Sequence, residues 1–475
     1  MQGKIVLVGI WGAGMSNIAG ILRELWYTNI IGINSEVSQI TQQLQEKGIR
    51  IFSHDEYQIH AEDIVIYSSA AEGSIEVQTA KKLKKEEHTP LLIWDYFEFL
   101  GEISKYFKTV GFTGTNGKSS SSALAIFTAK HLLPDFWIGI VWALVPDFWG
   151  KSYVLGESAL SKNRLDDKSS KQQSDLRNIF NYIFTGRKLD YTVVKKYYFF
   201  VEACEYQRHF LHLDLDIAII TNITLDHTDY FKDLADYESA FKELVKKVKY
   251  QVFVLPDFRQ QTILKDAKAI VVEPQHFDFQ YIWGEHQQKN ASLVAGLLEH
   301  LQDDKTIDTI KKTIEPFKGI WRRMEFLKES EQGAQIFSDY GHVAESLEVG
   351  YQALKEKFPD KKLICIFQPH QMHRILLGWD NFPEALQLYD ERYIYDIYAA
   401  RERIEDFAHE ELFKEMHLTS VEGLGTSFAN HCNAQYLTSF PAVEDIIKKA
   451  DEKSIIVVYS AGDIDYSLRK HLKLA

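Results

Sequence analysis

The segment Thr109–Ser122, TVGFTGTNGKSSSS, constrains this chain more than any other. A β-rich run, Lys108-Thr109-Val110-Gly111-Phe112, breaks into Gly114-Thr115-Asn116-Gly117-Lys118-Ser119, then into small residues from Ser120 that suit a helix start. Strand, glycine loop, Lys-Ser and helix in that order make a phosphate cradle. Glycines let backbone N–H groups converge on phosphate oxygens, and the helix N-terminus adds partial positive charge. The lysine brings a point charge to the β- and γ-phosphates, and the next hydroxyl suits Mg²⁺. The pattern G-x-x-x-x-G-K-[ST] is not met in full, because Phe112 stands where its first glycine belongs. A glycine-rich turn before an ordinary helix is the plainer alternative and the weaker one. The expectation is an α/β chain that handles ATP or a similar nucleotide.

At 475 residues the length suggests about three domains. The net charge of −13 argues against a nucleic-acid partner, since phosphate contacts need a basic face. The pairs Lys195-Lys196, Lys246-Lys247 and Lys311-Lys312 read as solvated surface. Cys204, Cys365 and Cys432 show no C-x-x-C spacing, which fits free thiols in a reducing compartment. The start, MQGKIVLVGIWGAGM, reads as a strand entering a glycine turn rather than a signal peptide. No run of ~18 apolar residues exists; 136–149 comes nearest, interrupted by Pro146 and Asp147. A cytoplasmic protein with no membrane partner is expected, as a monomer or homodimer.

Residues 1–107 alternate apolar runs (Ile5–Val8, Ile30–Ile33, Ile64–Tyr67, Leu91–Ile93) with polar helical stretches, the pattern of βαβ units. The turn Gly9–Met15 opens a helix and suits a dinucleotide or a nucleotide-sugar diphosphate, or is simply a tight strand-to-helix turn, since G-x-x-G-x-G is not the standard dinucleotide spacing. A second unit, 108–315, continues through Tyr198–Glu202, Ile217–Thr221, Val252–Leu255 and Ala269–Val272. Within it, Glu157–Asp190 is polar without clear periodicity and reads as an insertion or long loop. The pattern restarts from Pro316, with strands expected at Gln335–Ser338, Leu363–Phe367, Tyr393–Tyr398 and Ile455–Tyr459.

Two further groups stand at strand ends, where open α/β sheets gather their chemistry. Glu202 closes a buried-strand signature in VEACE, and His227 follows Ile217–Thr221 in NITLDH. A carboxylate and a neutral imidazole there, with Ser119, make a candidate Mg²⁺ site. Asp226–Asp229 read equally well as a helix N-cap cluster.

The order GIWGAGM, GTNGKS, VEACE, NITLDH, GEHQQKN, FKGIWRRME, SDYGH, FQPH resembles the Mur ligases over residues 5–464, and within them the branch that joins L-alanine to UDP-N-acetylmuramate. The resemblance implies three domains: a Rossmann-like UDP-sugar domain (1–107), a central P-loop-type ATPase domain with a mostly parallel sheet (108–315), and a Rossmann-like C-terminal domain (316–475). It implies ATP-dependent amide-bond formation through an acyl phosphate in peptidoglycan precursor synthesis. Phosphorylation gives a poorly acylating carboxylate a leaving group, and positioning with cationic stabilisation supplies most of the catalysis.

By the same resemblance Lys118 contacts the β/γ-phosphates, Ser119 and Glu202 hold one Mg²⁺, and His227 helps hold a second. Asn290 binds adenine with His286 beside it, Arg323 contacts the γ-phosphate, and Asp339 orients the nucleotide. His342 and Arg374 lie near the amino acid. Gly12, Ala13, Gly14 and Met15, with Ser68, Ser69 and Ala70, take the UDP-sugar. The chain departs from the alanine-adding pattern at Trp11, Cys204-Glu205, Gln287, Val343–Glu345 and Gln371–Leu376. The last stretch keeps one arginine where several are usual, which weakens a bidentate grip on the amino acid's carboxylate. A ligase for another amino acid or a recycled tripeptide, or a nucleotide-binding protein without turnover, are the competing readings.

Overall fold

The computed structural model describes residues 3–10, 12–34, 39–86, 89–156, 175–186, 189, 194–227, 230–257, 263–264, 269–302, 306–400 and 402–474. The first sheet joins β1 (Ile5–Val8), β2 (Ile30–Ile33), β3 (Arg50–Phe52), β4 (Ile64–Tyr67) and β5 (Leu92–Asp95) in the order β3-β2-β1-β4-β5. All its pairings are parallel. IVLV, IIGI and IVIY are buried along their whole length, as parallel strands covered on both faces require.

The central sheet contains β6 (Lys108–Thr113), β7 (Phe136–Val145), β8 (Lys151–Leu155), β9 (Tyr198–Glu202), β10 (Ile217–Ile220), β11 (Gln251–Val254) and β12 (Ala269–Val271). Their order is β12-β11-β10-β6-β9-β7-β8, parallel except for β8 against β7. The β6-to-helix step places the glycine loop at the carboxyl edge of this sheet, flanked by the ends of β9 and β10. The third sheet joins β13 (Glu325–Glu329), β14 (Gln335–Asp339), β15 (Lys362–Gln368), β16 (Glu391–Tyr395), β17 (Gln435–Leu437) and β18 (Ser454–Ser460) in the order β13-β14-β18-β15-β16-β17. Only β13 runs antiparallel.

The chain forms two compact units: Met1–Asp278 with His286–Phe317, and Phe279–Glu285 with Lys318–Ala475. The first two sheets share the first unit. Helix α1 (Ala13–Glu24) packs on the β7–β8 hairpin, where Tyr153 lies against Gly20 and its hydroxyl donates to Glu24 Oε1 at 2.7 Å. Lys151 pairs with the same carboxylate at 2.6 Å.

One element is not foreseen from the sequence, and one expectation needs correction. The aromatic run from Phe136 is an inner strand, buried from Phe136 to Val141, and its apolar length comes from covering both sheet faces. Part of the stretch read as a loop is the helix Asp175–Thr185, which buries Leu176, Ile179, Phe180, Ile183 and Phe184 at helical spacing. Phe180 and Phe184 pack on Phe99, and Phe184 also meets Tyr27, so this helix wedges against the N-terminal sheet's helices. The polar neighbours masked that periodicity; residues 157–174 lie outside the described residues. No helix among the described residues is long and apolar enough to cross a membrane.

Candidate active site

The loop between β6 and α5 (Lys118–Leu132) is held from the carboxyl end of β10. Thr115 N–H donates to Asn222 O at 3.0 Å, Asn116 N–H to Asn222 Oδ1 at 3.0 Å, and Thr115 Oγ1 to Thr224 O at 2.7 Å. Gly114 has φ +130°, and a Cβ there would sit 2.2 Å from Thr221 Oγ1, so the turn excludes any side chain. Gly117 caps α5 at φ +86°, with Asn290 Oδ1 2.7 Å from where its Cβ would stand. Asn290 is thereby brought against the loop from the helix Glu285–Leu301, with His286 one turn earlier. Ser119 and Ser120 occupy the first turn of α5, so the Gly-Lys-Ser placement produces the loop and helix start that the sequence implied.

Lys118 Nζ donates to Gly114 O at 2.7 Å, to Thr115 O at 2.9 Å and to Glu205 Oε1 at 2.8 Å. Glu205 is fully buried. Burial pushes its carboxyl up, but the hydrogen bond from His227 and the Lys118 charge outweigh that and hold it below the usual range. His227 Nε2 lies 3.6 Å from Glu205 Oε1, and this contact raises the imidazole above its ordinary value. Ser119 Oγ donates to Glu202 Oε1 at 2.8 Å, and the Trp142 backbone N–H donates to Glu202 Oε2 at 2.8 Å. Burial pushes the Glu202 carboxyl up.

The structure therefore sorts the residues into two pairs, Ser119 with Glu202 and His227 with Glu205, with Lys118 bound to the second carboxylate. Glu205 is the residue that sequence reasoning noted only as part of a departure. Its signal was its spacing, three residues beyond Glu202. The N-cap reading of Asp226–Asp229 does not hold: the following helix, Leu234–Lys247, is capped by Asp233, whose side chain accepts from Asp236 N–H. Thr228 and Asp229 lie outside the described residues. Cys204, between the two carboxylates, is buried and its thiol is pushed up to about 12.

The residues assigned to a UDP-sugar meet at the carboxyl ends of β1 and β4. Gly12 is the N-cap of α1, whose first turn holds Ala13, Gly14 and Met15. Ser68 precedes the short 3₁₀ turn Ser69–Ala71, and Ser68 Oγ lies 2.2 Å from where a Cβ on Gly9 would stand. Ser68 Oγ is buried without a hydrogen-bond partner. Trp11 lies outside the described residues.

In the second unit the paired arginines separate. Arg322 is buried, donating to Ser460 O and lying over the Trp321 and Tyr340 rings. Arg323 is exposed beside Tyr340. Asp339 accepts Met324 N–H and Gly341 N–H, each at 2.7 Å, and burial pushes its carboxyl up. His342 and His370 approach to 6.3 Å between ring centroids, His370 stacks on Tyr398, and Arg374 Nη1 lies 3.1 Å from His370 Nδ1. Burial, reinforced by Arg374, lowers both imidazoles below their ordinary value. His373 pairs with Glu402 instead. Arg323, Asp339, His342 and Arg374 thus belong to one neighbourhood of this unit.

A fully buried carboxylate joined to a hydroxyl, beside a second carboxylate whose Oε2 is buried without a partner, offers the all-oxygen donor set that suits Mg²⁺. Fold and site together define an α/β protein with a strand–glycine loop–helix turn of P-loop type at the carboxyl edge of its seven-stranded sheet. Residues 112–311 match the model of the Mur ligase middle domain.

Among solved structures, UDP-N-acetylmuramate-alanine ligase MurC from Thermotoga maritima is similar over 99% of this chain and 98% of that chain (TM-score 0.71, 21% identity). A murein peptide ligase from Psychrobacter arcticus matches over 99% and 98% (TM-score 0.58, 18% identity). A bifunctional folylpolyglutamate synthase/dihydrofolate synthase with Mn, AMPPNP and L-glutamate bound matches over 80% and 93% (TM-score 0.52, 16% identity).

Proposed function

We propose that this chain is an ATP-dependent amide ligase that joins L-alanine to the lactyl carboxylate of UDP-N-acetylmuramate in peptidoglycan precursor synthesis. The observation that carries the reading is the loop itself: Lys118 and Ser119 at the start of α5, facing the buried carboxylates Glu205 and Glu202. Lys118 exchanges its carbonyl partners for phosphate oxygens and neutralises the transferring group. Ser119 and Glu202 hold Mg²⁺, which supplies charge stabilisation to the phosphates when bound. His227 and Glu205 make a second acidic and imidazole pair at the same edge. Gly12–Met15 and Ser68–Ala70 take the UDP-sugar. Arg323, Asp339, His342, His370 and Arg374 serve the nucleotide and amino-acid side of the reaction.

A second reading, a Mur-type ligase for another amino acid or a peptide, is favoured by one observation. The only arginine of Gln371–Leu376 is Arg374, and it is already engaged by His370. Replacing Lys118 by Ala is expected to cut amide formation by about 10³-fold while the fold survives. Unchanged turnover in Lys118→Ala removes the phosphate role, and a product carrying a different amino acid moves the substrate.

A further inference from the structure

Trp142 stands where three parts of the first unit meet. Its backbone N–H holds Glu202 Oε2, and its indole N–H donates to the Tyr96 hydroxyl at 3.2 Å. That backbone N–H is available because β7 loses its register with β8 between Ile140 and Val145. Tyr96, buried at the start of α4 (Tyr96–Ser104), lies against the turn at Gly14: a Cβ on Gly14 would meet its ring at 2.9 Å. Asn17, fully buried one turn further along α1, donates to Val141 O at 3.0 Å, on the residue before Trp142, and accepts from Ser152 Oγ. Phe97 packs on the indole with ring centroids 5.2 Å apart and stacks on His209.

We propose that Trp142 and Tyr96 are positioning residues that set the Gly12–Met15 turn in register with the Glu202 carboxylate, so that a sugar nucleotide bound at the turn tightens metal–nucleotide binding at the phosphate loop. The inference rests on the ligase reading for the identity of the two ligands. Ring packing alone would fill this junction with any aromatic pair. An indole N–H bonded to the hydroxyl of the buried Tyr96 fixes distance and angle as well. The chain of contacts is short: turn, tyrosine ring, indole, backbone N–H, carboxylate.

The test is calorimetric titration of the full chain with Mn²⁺ and a non-hydrolysable ATP analogue, with and without saturating UDP-N-acetylmuramate. The wild type is expected to bind the Mn²⁺–nucleotide about fivefold or more tightly when the sugar nucleotide is present. Trp142→Phe and Tyr96→Phe keep the rings and the backbone N–H, and each is expected to reduce that gain to less than about twofold. The double variant loses no more than Tyr96→Phe alone, since the indole–phenol bond is already gone in that variant. If Tyr96→Phe fails to fold, the half-buried Trp142→Phe carries the test alone. Variants that retain the wild-type gain overturn the proposal, as does a wild type that binds both ligands without mutual effect. Failure of UDP-N-acetylmuramate to bind the wild type at all overturns the ligase reading with it.

Discussion

Glu205→Gln tests whether Lys118 is held by a buried charge. The carboxylate is fully buried, and the Lys118 side chain is only 16% exposed. Removing one partner of a buried ion pair costs about 3–5 kcal/mol. Lys118 keeps two carbonyl acceptors and some water, which places the cost near the low end, about 3 kcal/mol. For a domain of this size that lowers Tm by about 6 °C. The control is Glu72→Gln, which breaks the Lys81–Glu72 pair; with side chains 35% and 61% exposed, its loss is about 0–1 kcal/mol.

The penalty also has a pH signature. Glu205 is depressed in the fold, so its contribution is present above the unfolded value of 4.5 and lost as pH falls through the lower folded value. His227 is raised, so its contribution is present below 6.5 and lost as pH rises through the higher folded value. Glu205→Gln is therefore most damaging between those limits and less so in alkali, where only the Lys118 part remains. Scanning calorimetry at about pH 5.5 and about pH 8.5 reads both effects. A variant matching Glu72→Gln at both pH values, or hurt more at the higher one, refutes the reasoning.

Two further outcomes follow from the same geometry. Gly117→Ala forces a left-handed residue and a contact with Asn290, costing about 2 kcal/mol in urea unfolding, whereas Gly73→Ala, with open space and no positive φ, stays within about 0.5 kcal/mol. His209 is held neutral by burial, its pKa lowered to about 4, so the wild type loses stability as pH falls from 6.5 towards 4. His209→Phe preserves the stack on Phe97 and is expected to flatten that part of the urea-midpoint profile between pH 7 and about 4.5.

Much of this architecture is legible in the sequence because buried parallel strands are unbroken apolar runs: Ile5–Val8, Ile64–Tyr67 and Tyr198–Glu202 coincide with strands to the residue. The glycine loop is legible because its φ angles and its crowding against Thr221 and Asn290 leave no room for other residues. Short edge strands such as Arg50–Phe52 and Gln435–Leu437 carry too few apolar residues to stand out. The β7–β8 hairpin was hidden by its own hydrophobicity, and the helix Asp175–Thr185 by its polar face. The pairing of Lys118 with Glu205 rather than Glu202 depends on how the chain turns after β9, where Gln207 and Arg208 both take positive φ, and spacing does not encode that. Nor does the pair Arg322-Arg323 announce which member turns inward; packing on Trp321 and Tyr340 decides it.

The most direct measurement of the central claim is phosphate release from ATP and Mg²⁺ with UDP-N-acetylmuramate, across single amino acids and the L-alanyl tripeptide, with Lys118→Ala in parallel. The account predicts release that requires both the sugar nucleotide and L-alanine and that disappears in the variant. Release that ignores the sugar nucleotide, or bound ATP with no release across the whole panel, contradicts it.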